Sequence, residues 1–438
     1  MYIGNEIDHG QITGRVIGYP GDGHMLTIGP TRSGKSRRLL IPNLFYETAR
    51  SMLVVDMKGE LTAITSPYRS TKGSKVVALD PFGVLISRGI HTPTAGFNPM
   101  LRLDPNSDDF VDDAMGLAEA LVQVSPEMKE PHFAESAQDV VAALIMWAKW
   151  KRRDKATLRE VRQMICQPVD GLQVVAVAAT QEKAHPAIIG KMAKFLRPAK
   201  DNRELDSVLS TAQTQTRFLD SPGIVRNLTT GGVDFAGLKT ETQTIYLVLP
   251  PERLVTHAKW LRLVISAAMT AMQRTLKTPG RPDVLFLLDE FPQLGRLQTV
   301  ETAVSLNAGY GVKVWAAVQH LGQLKEHYGD NWETFLSAGC VTAFAPRDWF
   351  TRDHLTKLVG TGSKIIRSIT NQNRGDTSYT DSVQKDDLVS AHEWRGMVQG
   401  EQWAFIPTDK GQVIKRIYSP DFTELPDVKS GRIKPGKV

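Results

Sequence analysis

Apolar residues follow two different rhythms along this chain. The first consists of short, nearly unbroken apolar runs. Met25–Ile28, Ser51–Asp56, Lys75–Asp80, Gln243–Leu249, Asp283–Leu288 and Val312–Val318 all read this way. Such runs predict strands buried on both faces. Between them the pattern predicts helices at Ser36–Ala49, His257–Thr275 and Thr299–Ala308. The first of these is adjusted near Pro42, which removes a backbone donor. Strand, helix and strand at this spacing predict a parallel α/β sheet.

The second rhythm fills residues 104–232, where no strand pattern is found. Helical periodicity appears at Asp109–Val124, Ala134–Lys151, Thr157–Cys166, Pro186–Leu196 and Glu204–Leu219. The sheet is therefore expected to be split by an inserted all-α domain. The expected organisation is a first nucleotide-binding part at 1–103, the insert at 104–232, and a second nucleotide-binding part at 233–427. Residues 362–386 are polar and rich in Gly, Asn and Ser, which predicts a mobile loop or a hairpin. Gln402–Ile406 and Gln412–Ile417 can pair as an antiparallel ribbon. The stretch 428–438 carries Lys429, Arg432, Lys434 and Lys437 without an acid, and is expected to be disordered.

Composition narrows the functional classes without choosing one. The 438 residues are 41% hydrophobic and 23% charged, an ordinary globular balance. Two distant cysteines, Cys166 and Cys340, argue against a disulfide framework or a zinc site. A net charge of +6 permits nucleic acid or an anionic membrane as partner but requires neither. The best apolar run, Val140–Ala148, is too short to cross a bilayer and reads as a buried helix. Nothing at the start resembles a signal peptide, so the chain as given is expected in the cytoplasm.

Candidate chemistry sits at the ends of the apolar runs. Gly29-Pro30-Thr31-Arg32-Ser33-Gly34-Lys35-Ser36 fits the phosphate-loop pattern after a strand and before a helix. Its backbone amides would cradle phosphates, with Lys35 on the phosphates and Ser36 on Mg²⁺. Asp289 ends an apolar strand and is placed to support the metal; Glu290, one residue later, is placed to activate water. Gln319 ends the next strand, where a polar side chain can contact the γ-phosphate or the attacking water, or simply cap the strand. Lys58 and Glu60, after Asp56, read equally as nucleotide contacts or as an ordinary charged loop. Asp80-Pro81-Phe82 reads as a turn around a buried Phe. Arg296, Arg347 and Arg352 are candidates to act in trans as arginine fingers, or are solvated surface residues.

Taken together, these residues resemble the coupling ATPases of type IV secretion and conjugation, the TraG/TraD-like proteins. The match runs through the phosphate loop, Ile41-Pro42-Asn43-Leu44, Asp56–Glu60, Asp80–Phe82, Phe97–Pro99 and Pro131–Phe133. It continues through Phe286–Gly295, Gly309–Gly311, Gln319, Gln323-Leu324 and Tyr328-Gly329. The resemblance implies a RecA-like P-loop motor with an inserted all-α domain, active as a homo-hexamer with ATP and Mg²⁺. It implies that DNA, with or without an attached relaxase or effector protein, is driven into a type IV secretion channel. It also implies that the all-α domain receives those substrates. Family members usually begin with transmembrane helices. This chain starts just before the motor, so its expected place is the cytoplasmic face of the inner membrane, through a missing N-terminal anchor or a membrane partner. An FtsK/HerA-like translocase or a nucleotide-switched receptor would use the same motor residues.

Overall fold

The computed structural model describes residues 1–124, 130–196, 203–306, 309–371 and 377–437. The apolar runs become strands because nearly all of their apolar side chains find cover; in Lys75–Leu79, Lys75 is exposed and Val77 half-buried. The strands in chain order are β1 (Tyr2–Asp8), β2 (Gln11–Gly18), β3 (His24–Ile28), β4 (Met52–Asp56), β5 (Lys75–Leu79), β6 (Gln243–Val248) and β7 (Val284–Leu288). They continue with β8 (Val312–Val318), β9 (Gly339–Ala343), β10 (Thr361–Asn371), β11 (Thr377–Asp387), β12 (Glu401–Thr408) and β13 (Gly411–Tyr418). All residues of β3, β4, β6, β7 and β8 are buried. Unbroken burial is the signature of strands covered on both faces.

The chain divides into two compact units. The first comprises Met1–Glu47, Leu287–Arg296 and Lys313–Lys434. Its strands run in the order β2-β1-β13-β12-β9-β3-β8. The pairs β9–β3 and β3–β8 are parallel, with Leu26 opposite Val341 on one side and Ala316 on the other. The remaining neighbours are antiparallel. The expected ribbon is β12–β13, with Phe405 opposite Ile414. Residues 362–386, read as loop or hairpin, take the hairpin form through β10 and β11, with Ile366 opposite Ser382. Residues 372–376 of that stretch lie outside the described ones.

The predicted helix Ser36–Ala49 is shorter and is divided. Ser36–Leu40 is a π turn and Ile41–Tyr46 an α-helix. Ile41 N donates to Ser36 O, one residue further back than in an α-helix. Pro42 explains the widening, since its ring crowds the carbonyl four residues earlier and it has no N–H to give. Asn43, in the same helix, is fully buried. Its amide accepts from Tyr2 N at 2.8 Å and donates to Tyr2 O and Leu39 O, both at 2.8 Å. Asn43 thereby holds the backbone of Tyr2 at the start of β1. Asn43→Ala removes these three hydrogen bonds, two at half-buried Tyr2 and one at buried Leu39. The expected cost is about 2–4 kcal/mol, read as a lower urea midpoint at unchanged slope.

The second unit comprises Thr48–Phe286, Leu297–Val312 and Pro435–Val438. In it β6 pairs in parallel with β4 and with β5, with Ile245 opposite Leu53 and Val77. From 104 to 231 every regular element among the described residues is helical. The main helices are Phe110–Leu121, Pro131–Arg152, Leu158–Ile165, Val169–Gln181, Pro186–Met192, Arg203–Thr216 and Pro222–Thr229. Sequence patterning missed Val169–Gln181 and Pro222–Thr229. The first is exposed over much of its length and the second is only two turns long.

The compact units do not part at 104 and 232, because the helical stretch packs on the helix Leu254–Arg274. Phe110–Leu121 lies against that helix, and Asp113 pairs with Arg274. Buried Trp260 Nε1 donates to Asn227 Oδ1 at 3.1 Å. The basic tail also differs from its expectation. Pro426–Lys429 is a helical turn, Ile433 is buried in the first unit, and Gly436 N donates to Ile64 O at 2.9 Å in the second. Composition hid this because the segment is held by one apolar side chain, the Arg432–Asp427 ion pair and backbone bonds such as Ile433 N to Asp427 O, none of which a local pattern announces.

Candidate functional site

The phosphate-loop pattern begins where β3 ends. Gly29 N donates to Val318 O at 2.9 Å, tying the start of the loop to the end of β8. The chain then turns tightly, with Ser33 N donating to Pro30 O at 3.0 Å. A Cβ on Gly29 would lie 2.6 Å from Ser33 Oγ, so any larger residue would force the Ser33 side chain to turn away. Gly34 has φ +91°, and Arg32 is left-handed at φ 65°. A non-glycine residue in that region costs about 1–2 kcal/mol, so the neighbouring structure holds it there.

β7 ends at Leu288, and Asp289 and Glu290 follow. In an extended strand consecutive side chains point to opposite faces. Here Glu290 is left-handed at φ 51°, and the chain turns into the 3₁₀ turn Phe291–Leu294. The turn aims both carboxylates at the loop. Ser36 Oγ donates to Asp289 Oδ2 at 3.3 Å, and Lys35 Nζ donates to Glu290 Oε1 at 2.8 Å. The Lys35 side chain is 7% exposed and that of Glu290 28%.

Gln319 joins the two halves. Its Nε2 donates to Glu290 Oε2 at 3.0 Å, and its Oε1 accepts from Thr31 Oγ1 at 3.3 Å. Lys35, Ser36, Asp289, Glu290, Gln319 and Thr31 therefore meet within one unit. They come from three segments more than 250 residues apart at the extremes.

The residues fit a Mg²⁺-nucleotide. Ser33 Oγ is buried and makes no hydrogen bond among the described residues, so it is a donor aimed inside the loop. The Ser36 hydroxyl and Asp289 carboxylate are hard oxygen groups of the kind that could hold Mg²⁺, and Lys35 carries a charge of the kind that could meet phosphate oxygens. Among the described residues no cluster of His, Cys, Asp or Glu could hold a transition metal.

Of the arginines, Arg347 and Arg352 follow β9, whose carboxyl end lies beside that of β3. Arg347 is exposed, and Arg352 is half-buried in the helix Trp349–Val359. Arg296 follows the 3₁₀ turn after Glu290 and is half-buried. The remaining acidic strand ends are structural in their described contacts. Asp56 is 2% exposed and accepts from Thr62 N at 2.7 Å, Thr62 Oγ1 at 2.8 Å and Lys58 N at 3.2 Å. Burial raises its carboxyl above the usual range, against the lowering effect of these bonds. Asp80 caps the turn after β5 by accepting from Val84 N and Leu85 N. Phe82 is half-buried, with its ring edge-on to His257 at 5.1 Å. Cys166 is exposed. Burial pushes the Cys340 thiol up to about 12.

Sequence reasoning used Gln323 only as part of a resemblance. The structure gives it a contact with the site: Gln323 Oε1 accepts from Gln319 N at 3.0 Å and His320 N at 3.4 Å. This is a capping box whose first residue is His320 rather than Ser or Thr, so its usual signature is hidden.

Residues 4–428 match the model of the type IV secretory system conjugative DNA transfer family. The chain belongs to this family. It is 27% identical over 386 residues to the conjugal transfer protein TraG of Escherichia coli, covering 83% of this chain and 59% of that protein. It is 30% identical over 402 residues to protein VirD4 of Rhizobium radiobacter, covering 89% of this chain and 54% of that protein. The chain thus spans a little over half the length of these relatives. Among solved structures it is similar to the bacterial conjugative coupling protein TrwBdeltaN70, with TM-score 0.67, 16% identity, and 91% and 85% of the two chains covered. It is also similar to the plasmid coupling protein TrwB in complex with ADP and Mg²⁺, with TM-score 0.66, 15% identity, and 91% and 85% covered. These likenesses establish the fold for this chain: a RecA-like P-loop α/β fold with an added all-α domain. Among the described residues no helix is long and apolar enough to cross a membrane.

Proposed function

We propose that this chain is the ATP-hydrolysing motor part of a conjugative coupling protein, which recruits DNA, relaxase or effector substrates and drives them into a type IV secretion channel. The observation that carries the reading is the meeting of Lys35, Ser36, Asp289, Glu290 and Gln319 through four hydrogen bonds of 2.8–3.3 Å, Thr31 included. A protein that only binds nucleotide needs Lys35 and Ser36. It does not need a carboxylate positioned one residue beyond the metal-supporting Asp289, tied to a strand-end glutamine.

In this reading residues 29–36 hold the phosphates of ATP, and Ser36 and Asp289 hold Mg²⁺, which neutralises charge building on the phosphate oxygens. Glu290 is the base that accepts the proton of the attacking water, and Gln319 orients Glu290 and that water. Residues 104–232 are the receptor for substrates, inserted between the motor parts 1–103 and 233–427. Arg296, Arg347 or Arg352 completes the site of a neighbouring copy in a homo-hexamer. The working place is the cytoplasmic face of the inner membrane, reached through an anchor or a membrane partner.

The test is turnover by the purified chain with Mg²⁺-ATP, with and without DNA. The expected result is phosphate release that rises when DNA is added and loses that rise as salt is increased. ATP binding without phosphate release, under all DNA and salt conditions, would overturn the motor reading and favour a nucleotide-switched receptor.

A further inference from the structure

The contacts of Gln319 are chemically one-directional. An ionised Glu290 only accepts hydrogen bonds, so the NH₂ of Gln319 must face it. The Gln319 carbonyl oxygen then faces Thr31, whose hydroxyl must donate. Flipping the amide would set an oxygen against a carboxylate. The side chain of Gln319 thus works in one orientation only, and its anchor is the backbone it springs from. That backbone lies between the last residue of β8 and the helix Leu321–Tyr328. It is the hinge where a strand becomes a helix, and Gln319 N has left the ladder of β8.

Gln323 fills that gap. Its Oε1 accepts from Gln319 N and His320 N, while Gln323 N donates back to His320 O at 3.3 Å. Next to it, Leu321 N donates to Thr351 Oγ1 at 2.9 Å, which fixes the start of the helix from another side. Two amides at the hinge therefore depend on one acceptor atom, and this acceptor carries no chemistry of its own in the site.

We propose that Gln323 is a positioning residue for ATP hydrolysis: its Oε1 fixes the Gln319 backbone so that the Gln319 amide reaches Glu290. The proposal rests on the motor reading above. It adds that turnover, and not nucleotide affinity, depends on this acceptor. Gln323 touches neither Lys35 nor Glu290 in any described contact, so its effect passes through Gln319.

The experiment compares Gln323→Met, which keeps length but removes the acceptor, with Gln323→Glu, which keeps it. Turnover and KM for ATP are measured, along with amide hydrogen exchange at Gln319 and His320. In Gln323→Met, kcat is expected to fall about 10-fold with KM within about 2-fold, and both amides exchange faster. Gln323→Glu is expected to return kcat to within about 3-fold of the original and to restore protection. An active chain whose Gln323→Met variant keeps its kcat overturns the proposal. Equal loss of kcat and of thermal stability in both variants also overturns it, since that pattern belongs to a structural role. If the unmodified chain shows no turnover, the motor reading fails first and this proposal with it. Exchange at the two amides still reports separately whether the acceptor anchors the hinge.

Discussion

Glu290→Gln is expected to lower kcat for ATP by about 10²–10⁴-fold while ATP still binds. The reason lies in what the substitution keeps and what it removes. Glutamine has the same length, and its amide can still meet the Gln319 side chain, so the turn after β7 survives. It cannot accept a proton from water at neutral pH, and it cannot neutralise Lys35, whose ammonium lies 2.8 Å from Oε1. Losing that ion pair frees the Lys35 charge for phosphate. Affinity for ATP should therefore hold or rise while turnover collapses. The measurement is single-turnover phosphate release beside nucleotide titration. Turnover within about 3-fold of the unmodified chain would remove Glu290 from the reaction.

Lys35→Ala is expected to raise the dissociation constant for ATP by about 10²-fold, and to abolish turnover at ordinary nucleotide concentrations. Lys35 is a nearly buried point charge, and nothing else in residues 29–36 carries one at that depth: Arg32 is exposed. Lys35→Arg should not rescue the loss. A planar guanidinium is wider than an ammonium and does not fit where the ammonium sits. Stability should change little in Lys35→Ala, because Glu290 is partly exposed and water can solvate it. Calorimetric titration with ATP, paired with a thermal midpoint, separates the two effects. A dissociation constant within about 3-fold of the original would contradict the phosphate role of Lys35.

These two predictions draw on residues that the sequence made conspicuous. The phosphate-loop pattern is local, since its chemistry depends on consecutive backbone positions. The apolar run ending in Asp289-Glu290 is also local, because strand burial dictates an apolar composition and the polar residues after it must leave the sheet. Gln319 was legible for the same reason. Gln323 was not, because its hydrogen bonds cap a helix whose first residue is a histidine. Asn43 was visible only as one letter of a motif. Its role is to hold the backbone of Tyr2 at the start of β1, and β1 itself is not apolar enough to announce a buried strand. The compact units were equally hidden. Periodicity marks where helices begin, but not that Asp113 and Asn227 anchor them to the helix Leu254–Arg274.

The sequence by itself marked the strands buried on both faces, the phosphate-loop pattern and the acidic pair after β7, because each of these follows from short-range order in the chain. Only the tertiary structure decided which groups touch. It turned Glu290 back through a left-handed residue so that it meets Lys35, and it set Gln319 between Thr31 and Glu290. Contacts between residues separated by more than 250 positions depend on sheet order and register. Those are properties of the packed chain, and no local pattern encodes them.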